Sequence, residues 1–258
     1  MTRLAIRSLR IRFGERLVVD VERLDLHPGE ILGLAGESGS GKSLTALSVL
    51  GLVQMAGAEV SGSIRLDDLE LVGLPEERLR ELRGRRVAMI FQSPSAAFNP
   101  VFRVGQVFMR ALRQHGVGSR AARTERARAA MREVLLAPEL LDRYPSQLSG
   151  GQLQRVAIAL ALALHSEVLL ADEPTSALDV TVQAEILELL RDLRDREGLT
   201  VLFISHDLAV IAELCDRVAV MKAGRIVEAG PTGDVLARPD DPYTRELLAA
   251  VPRIAGHG

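Results

Sequence analysis

The stretch that decides the fold is Ile31–Ser43, ILGLAGESGSGKS. Its first five residues are small or apolar without a break, the pattern of a strand buried on both faces. Gly36-Glu37-Ser38-Gly39-Ser40-Gly41-Lys42-Ser43 then matches G-x-x-x-x-G-K-[ST]. Glycines in such a loop let backbone N–H groups approach phosphate oxygens, and the helix that follows adds the positive end of its dipole. Lys42 supplies a compact charge to the β- and γ-phosphates, and the Ser43 hydroxyl supplies a ligand for Mg²⁺. A Gly/Ser linker can match the pattern by chance, but not between a buried strand and a helix. The expectation is therefore an α/β P-loop NTPase that takes ATP and Mg²⁺. One bias sharpens it: nearly every basic residue is arginine, and lysine occurs only as Lys42 and Lys222. The planar arginine fork is a poor substitute in so tight a cradle, and Lys222 raises the same question of what only lysine can do.

Upstream of the loop, Leu4–Phe13 and Leu17–Leu26 alternate apolar and polar residues, as half-buried antiparallel strands do. Downstream, Ser43–Leu52 reads as a helix, Val60–Val72 as a strand pair and Val87–Phe91 as a buried strand. Gln92–Gly105 reads as a loop carrying Pro94 and Pro100. Val107–His115, Arg120–Leu136 and Gln152–Leu164 are helical, rich in alanine, leucine and arginine. Strand–helix alternation returns with Val168–Asp172, Val180–Arg196, Thr200–Ser205 and Leu208–Cys215. A hairpin of Val218–Met221 and Arg225–Glu228 and two short helices, Asp234–Ala237 and Tyr243–Ala250, complete the pattern.

Two further segments carry chemistry. Val168–Glu173, VLLADE, places Asp172 at the end of a buried strand, suited to a Mg²⁺ shell. Glu173 follows it, suited to accept a proton from an attacking water. Leu148-Ser149-Gly150-Gly151-Gln152 is a second anion-binding helix start, a serine hydroxyl with two glycines that expose N–H groups. One nucleotide does not need two such cradles in one fold, and a P-loop kinase or GTPase leaves the second one unexplained.

The pentapeptide at Leu148–Gln152 resembles the signature motif of the ABC ATPases. The resemblance runs from end to end and implies the following roles. Glu37, Ser38, Gly39, Ser40 and Leu44 join Gly36, Gly41, Lys42 and Ser43 in binding the nucleotide. Ser149, Gly150, Gly151 and Gln152 cap the γ-phosphate held by another subunit. Gln92 is similar to the Q-loop glutamine that senses Mg²⁺ and the attacking water. Ser176-Ala177-Leu178-Asp179 looks like the D-loop at the dimer interface, with Asp179 facing the nucleotide. His206 matches the switch histidine at the γ-phosphate, and Phe13 is similar in placement to the residue that stacks on adenine. As a bare residue, Phe13 reads equally well as core.

The implied architecture is a single ABC ATPase domain over 1–258 with an N-terminal antiparallel β-subdomain. Residues 1–92 and 165–230 form its nucleotide-binding core, 93–164 an inserted helical signature subdomain and 231–258 a helical tail. Phe91-Gln92-Ser93-Pro94, Phe98-Asn99-Pro100, Arg143-Tyr144-Pro145, the run DEPTSALDVTVQ at Asp172–Gln183, Pro242-Tyr243-Thr244 and Val251-Pro252 resemble the peptide/nickel importer branch. Asp241, where the branch has histidine, and Leu153, where arginine is usual, depart from it. The lack of a C-terminal cysteine cluster leans toward nickel or metallophore members. That branch implies a second ATPase subunit joined head to tail, two transmembrane permeases and, through them, an extracytoplasmic binding protein. Closure would pass through the Gln92–Gln106 region, whose Phe98, Val101 and Phe102 read equally well as exposed or as packed inside the helical subdomain. An exporter motor, or a soluble ABC ATPase acting on nucleic acid or ribosomes, are the alternatives.

Composition bounds these choices. A formal net charge of −2 offers no electrostatic footprint for nucleic acid. The single cysteine, Cys215, excludes an internal disulfide framework and fits a reducing compartment. No signal core is expected at the arginine-punctuated N-terminus, and no stretch reaches the roughly 18 apolar residues of a membrane span. The expected location is the cytoplasmic face of the membrane, held there by partners.

Overall fold

The computed structural model describes residues 2–250, so the Val251-Pro252 pair lies outside the described residues. In chain order the strands are β1 (Leu4–Phe13), β2 (Arg16–Leu26), β3 (Ile31–Ala35), β4 (Glu59–Leu66), β5 (Leu69–Glu70), β6 (Val87–Ile90), β7 (Val168–Asp172), β8 (Thr200–Ser205), β9 (Arg217–Lys222) and β10 (Arg225–Pro231). The helices are α1 (Lys42–Val49), α2 (Leu52–Met55), α3 (Glu76–Leu82), α4 (Pro94–Ala97), α5 (Val104–Gln114), α6 (Arg120–Glu133), α7 (Gly150–Ala163), α8 (Val180–Glu197), α9 (Leu208–Leu214), α10 (Thr232–Ala237) and α11 (Pro242–Ala250). Among the described residues, no helix is long and apolar enough to cross a membrane. The chain forms two compact units, one from residues up to 76 together with those from 200 onward, the other from residues 77–199.

In the first unit an antiparallel sheet runs in the order β2-β1-β4-β5. Alternation on β1 buries Leu4 and Ile6, then slips by one residue to bury Leu9 and Ile11. The slip is a β-bulge at Ser8 (φ 45), where pairing with β4 shifts register between Arg7 and Arg10. Gly62 lies against it: a Cβ there would sit 2.3 Å from the Ser8 carbonyl oxygen, so the bulge and the glycine require each other. Each buried Leu or Ile of this face contributes about 1.5–3 kcal/mol.

The same unit holds strands in the order β10-β9-β3-β8. β3 is parallel to both β8 and β9, β10 is antiparallel to β9, and β3 and β8 are buried throughout. The start of β3 is fixed by the Ile31 N–H donating to Asp216 Oδ2 at 2.8 Å. Ile211 and Cys215 close on β3 at Gly33. The helix expected over Ser43–Leu52 ends earlier, at Val49, because Gly51 (φ 66) turns the chain before α2.

In the second unit β6 and β7 are parallel, in register from Val87↔Val168 to Ile90↔Ala171. Val104, Phe108 and Leu112 form the buried stripe of α5 at helical spacing. Arg155 of α7 donates to the Val134 carbonyl at 3.1 Å and to Glu185 of α8 at 2.6 Å, tying three segments together. Local differences from expectation have local causes. Gln92–Gly105 is not all loop, because Pro94 opens a short helix, α4, and α5 starts at Val104. Of the two readings left open for this segment, Phe98 takes the packed one and is buried, Val101 is exposed, and Phe102 lies under the Arg110 guanidinium, 4.0 Å from its ring centroid. Phe91 falls past the end of β6 and is exposed.

Candidate nucleotide site

In the first unit, β3 delivers the chain into the glycine loop and α1 carries it away. Gly36 has φ 145, and a Cβ there would lie 2.1 Å from the Met221 carbonyl oxygen of β9. The loop therefore presses its backbone onto a neighbouring strand at a point where no side chain fits. The far side is held by Gly224 N–H, which donates to the Ser40 carbonyl at 2.8 Å. α1 begins at Gly41 with no side-chain cap and no acidic residue in its first turn, so no carboxylate of that turn offsets its positive dipole end. Lys42 is only 4% exposed, and its Nζ donates to the carbonyls of Gly36 and Glu37, both at 2.7 Å. The ammonium is thus folded across the loop. Ser43 is exposed on the first turn of α1. Phe13 ends β1 with 36% of its surface exposed and is not a core side chain, and His206 is exposed just beyond β8.

The second unit brings the remaining candidates onto the ends of β6 and β7 and the starts of α7 and α8. Asp172 closes β7 and is buried; Glu173 follows with φ 46, a left-handed backbone that is costly for a residue with a side chain. Gln92 Nε2 donates to Glu173 Oε2 at 2.9 Å, joining residues far apart in sequence. Ser149 caps α7: its hydroxyl accepts the Gln152 N–H at 3.2 Å, while Gln152 Oε1 accepts the Ser149 N–H at 3.0 Å. Asp179 likewise caps α8, its Oδ1 accepting the Val182 N–H at 3.0 Å. Gly151 packs on α8 so closely that a Cβ would lie 2.4 Å from Val182 Cγ1. The two glycines at the head of α7 therefore differ in use, Gly150 being exposed and Gly151 a packing contact. Among the described residues, no group of three or more His, Cys, Asp or Glu is placed to hold a metal ion. A cation here would draw on few protein ligands and on phosphate and water, as Mg²⁺ does.

Sequence reasoning singled out Lys222 without a role and did not connect Tyr243 to the loop. Tyr243 of α11 is buried, and its hydroxyl accepts the Glu37 N–H at 3.0 Å. Lys222 Nζ stands 4.3 Å from the centre of its ring. Burial raises the phenol above its ordinary range; the Glu37 N–H opposes that and the Glu37 carboxylate reinforces it, so the group stays protonated at neutral pH. The sequence signals were a lysine retained among arginines and an aromatic residue, Tyr243, far from it in the chain.

The model of the family described as ABC transporter matches residues 20–176 of the chain. A "Probable peptide ABC transporter ATP-binding protein y4tR" of Sinorhizobium fredii is 52% identical over 227 residues, covering 87% of this chain and 68% of its own. The dipeptide transport ATP-binding protein DppD of Haemophilus influenzae is 42% identical over 261 residues, covering 99% and 79%. The dimeric post-hydrolysis structure of the ATP-binding cassette MJ0796, bound to ADP and Pi, superposes with a TM-score of 0.77 at 28% identity, covering 89% of this chain and 98% of that one. A likeness that takes in the phosphate loop, the carboxylates at the end of β7 and the start of α7 in one alignment leaves one reading: this chain belongs to the ABC transporter family and is one of its ATP-hydrolysing cassettes.

Proposed function

We propose that the chain is the ATPase subunit of an importer for peptides, in the branch that also takes nickel and metal chelates. The observation that carries the reading is the extended identity to relatives named for peptide and dipeptide transport. It would act peripherally on the cytoplasmic face of the membrane, joined head to tail to a second ATPase subunit and docked on two permeases served by an extracytoplasmic binding protein. The dimeric state of the MJ0796 cassette supports the pairing.

The chemical roles are those the family likeness implies, and the geometry within each unit supports them. The uncapped start of α1 and Lys42 hold the ATP polyphosphate, the ammonium exchanging backbone carbonyls for phosphate oxygens. Phe13, exposed at the end of β1, offers its ring to the adenine. The Ser43 hydroxyl and the Asp172 carboxylate would hold Mg²⁺, which supplies charge neutralisation at the phosphates. Gln92 orients Glu173 by donating to Oε2. Glu173 then takes a proton from the water that attacks the γ-phosphorus, ADP leaves with the electron pair of the broken bond, and His206 contacts the γ-phosphate. Ser149 spends an acceptor lone pair on its cap, which leaves the O–H proton as a donor to the partner subunit's nucleotide.

The test is recovery of the tagged chain from solubilised membranes. Two multi-span permeases and a second ATPase are the expected company. Recovery only with ribosomes or nucleic acid would overturn the importer reading.

A further inference from the structure

Lys222 and Tyr243 take no part in the chemistry above, yet they meet beneath the phosphate loop. The entry to α11 is anchored on several sides. The Tyr243 N–H donates to Asp241 Oδ1 at 2.8 Å, and the Glu228 carboxylate of β10 accepts the N–H groups of Asp240 and Asp241 at 2.9 and 3.2 Å. Arg245 donates to the carbonyls of Pro239 and Asp240 at 3.0 and 2.9 Å. These bonds set the direction in which the Tyr243 ring enters the interior, where it is 4% exposed with Lys222 Nζ close to its ring. Its hydroxyl then reaches one particular peptide of the loop. Glu37 donates its N–H to Tyr243 Oη at 3.0 Å and offers its carbonyl to Lys42 Nζ at 2.7 Å. A single loop residue is therefore gripped on both sides, by the tail helix and by the lysine that serves the phosphates.

We propose that Tyr243 is a positioning residue for ATP binding, through which α11 and Lys222 hold the Glu37 peptide so that the loop is ordered before the nucleotide arrives. The proposal rests on the ATPase reading and adds an element that the motif does not contain. A glycine-rich loop loses much backbone entropy on ordering, and preorganisation lowers that cost at the moment of binding. The aromatic ring is stiff and the cation above it adds attraction, so the hydroxyl is held in place rather than sampled.

The test uses the full chain and Tyr243→Phe, which removes only the hydroxyl and keeps the ring under Lys222. One hydrogen bond of this kind corresponds to a change of about three- to tenfold. Titration with a fluorescent ATP analogue and Mg²⁺ should show Kd weakened by that factor. In the assembled transporter, KM for ATP should rise in parallel while kcat stays within about twofold. Lys222→Ala, which leaves the hydroxyl in place, should give a smaller shift in the same direction. Unchanged Kd in Tyr243→Phe, or a fall in kcat with KM unaltered, would overturn the proposal. If the wild-type chain failed to bind the analogue, the ATPase reading itself would fall; equal binding by wild type and Tyr243→Phe sinks only the role of Tyr243.

Discussion

Gly36 and Gly39 lie in one loop, both at positive φ, and separate two costs that are usually confounded. Gly36 has φ 145 and its Cβ position is 2.1 Å from a backbone oxygen of β9; Gly39 has φ 79 and nothing within 4 Å. Gly39→Ala should therefore cost only the left-handed backbone strain, about 1–2 kcal/mol. Gly36→Ala adds a carbon–oxygen overlap of roughly 1 Å that no rotamer relieves, because the opposing atom is main chain. Overpacking of that sort costs about 1–3 kcal/mol, for a total of about 2–5 kcal/mol. Against a native stability of about 5–15 kcal/mol that is a large share. Urea unfolding of both variants at matched slopes measures the difference, and titration with an ATP analogue shows whether the loop still binds. Gly36→Ala should unfold earlier than Gly39→Ala and bind the nucleotide far more weakly. Equal unfolding midpoints with intact binding in Gly36→Ala would refute the view that contact with β9 shapes the loop.

Glu173→Gln keeps an acceptor for the Gln92 amide and so should fold and bind ATP, while turnover in the assembled complex falls by about 10²–10⁴; near-normal hydrolysis would remove Glu173 from the general-base role. Ser149→Ala loses the cap of α7 and should cost about 1 kcal/mol in thermal or urea unfolding. It should also impair hydrolysis in the complex with ATP binding by the isolated chain intact, and unchanged turnover would count against a site shared between subunits. Asp25 is buried, which pushes its carboxyl up, but hydrogen bonds from Arg7 and Arg23 outweigh burial and hold it below its ordinary 3.8. A depressed folded-state value stabilises above the unfolded pKa and is lost as pH falls through the folded one. Asp25→Asn should therefore cost about 1 kcal/mol at neutral pH, since both arginines reach solvent. That gap from wild type should close below about pH 4; a gap that persists at pH 2 would show that the loss is one of packing rather than charge.

What was legible in the sequence was local. β3, β7 and β8 are short runs without an interior charge, and such runs have few homes other than a buried strand. The Ser149 cap was also readable, because its partner Gln152 lies three residues on. Helix α3 was missed because Leu79 is its only buried residue, leaving no periodicity to detect. The burial of Phe98 depends on which way a side chain turns after α4, and no pattern in Gln92–Gly105 records that. Two pairings at the site join residues distant in the chain, Gln92 with Glu173 and Glu37 with Tyr243. The first follows only from a family likeness. The second follows from nothing in the chain except a retained lysine and an aromatic residue near its end.

The contact of Gly151 with Val182 has a mechanical consequence. With no Cβ between them, the starts of α7 and α8 have no slack: a push on one is delivered to the other as displacement rather than absorbed as side-chain rearrangement. Arg155 bolts the same two helices again through Glu185. Ser149 and Asp179, which head those helices, are therefore expected to move together, as the two prongs of one fork. A phosphate that drew Ser149 toward it, as proposed for a partner subunit's nucleotide, would also drag the turn behind Asp179, and that turn begins at Glu173, whose carbonyl accepts the Ser176 N–H and hydroxyl. On the roles proposed above, docking at the tip of the fork would reach Glu173 over a lever short enough to stay stiff.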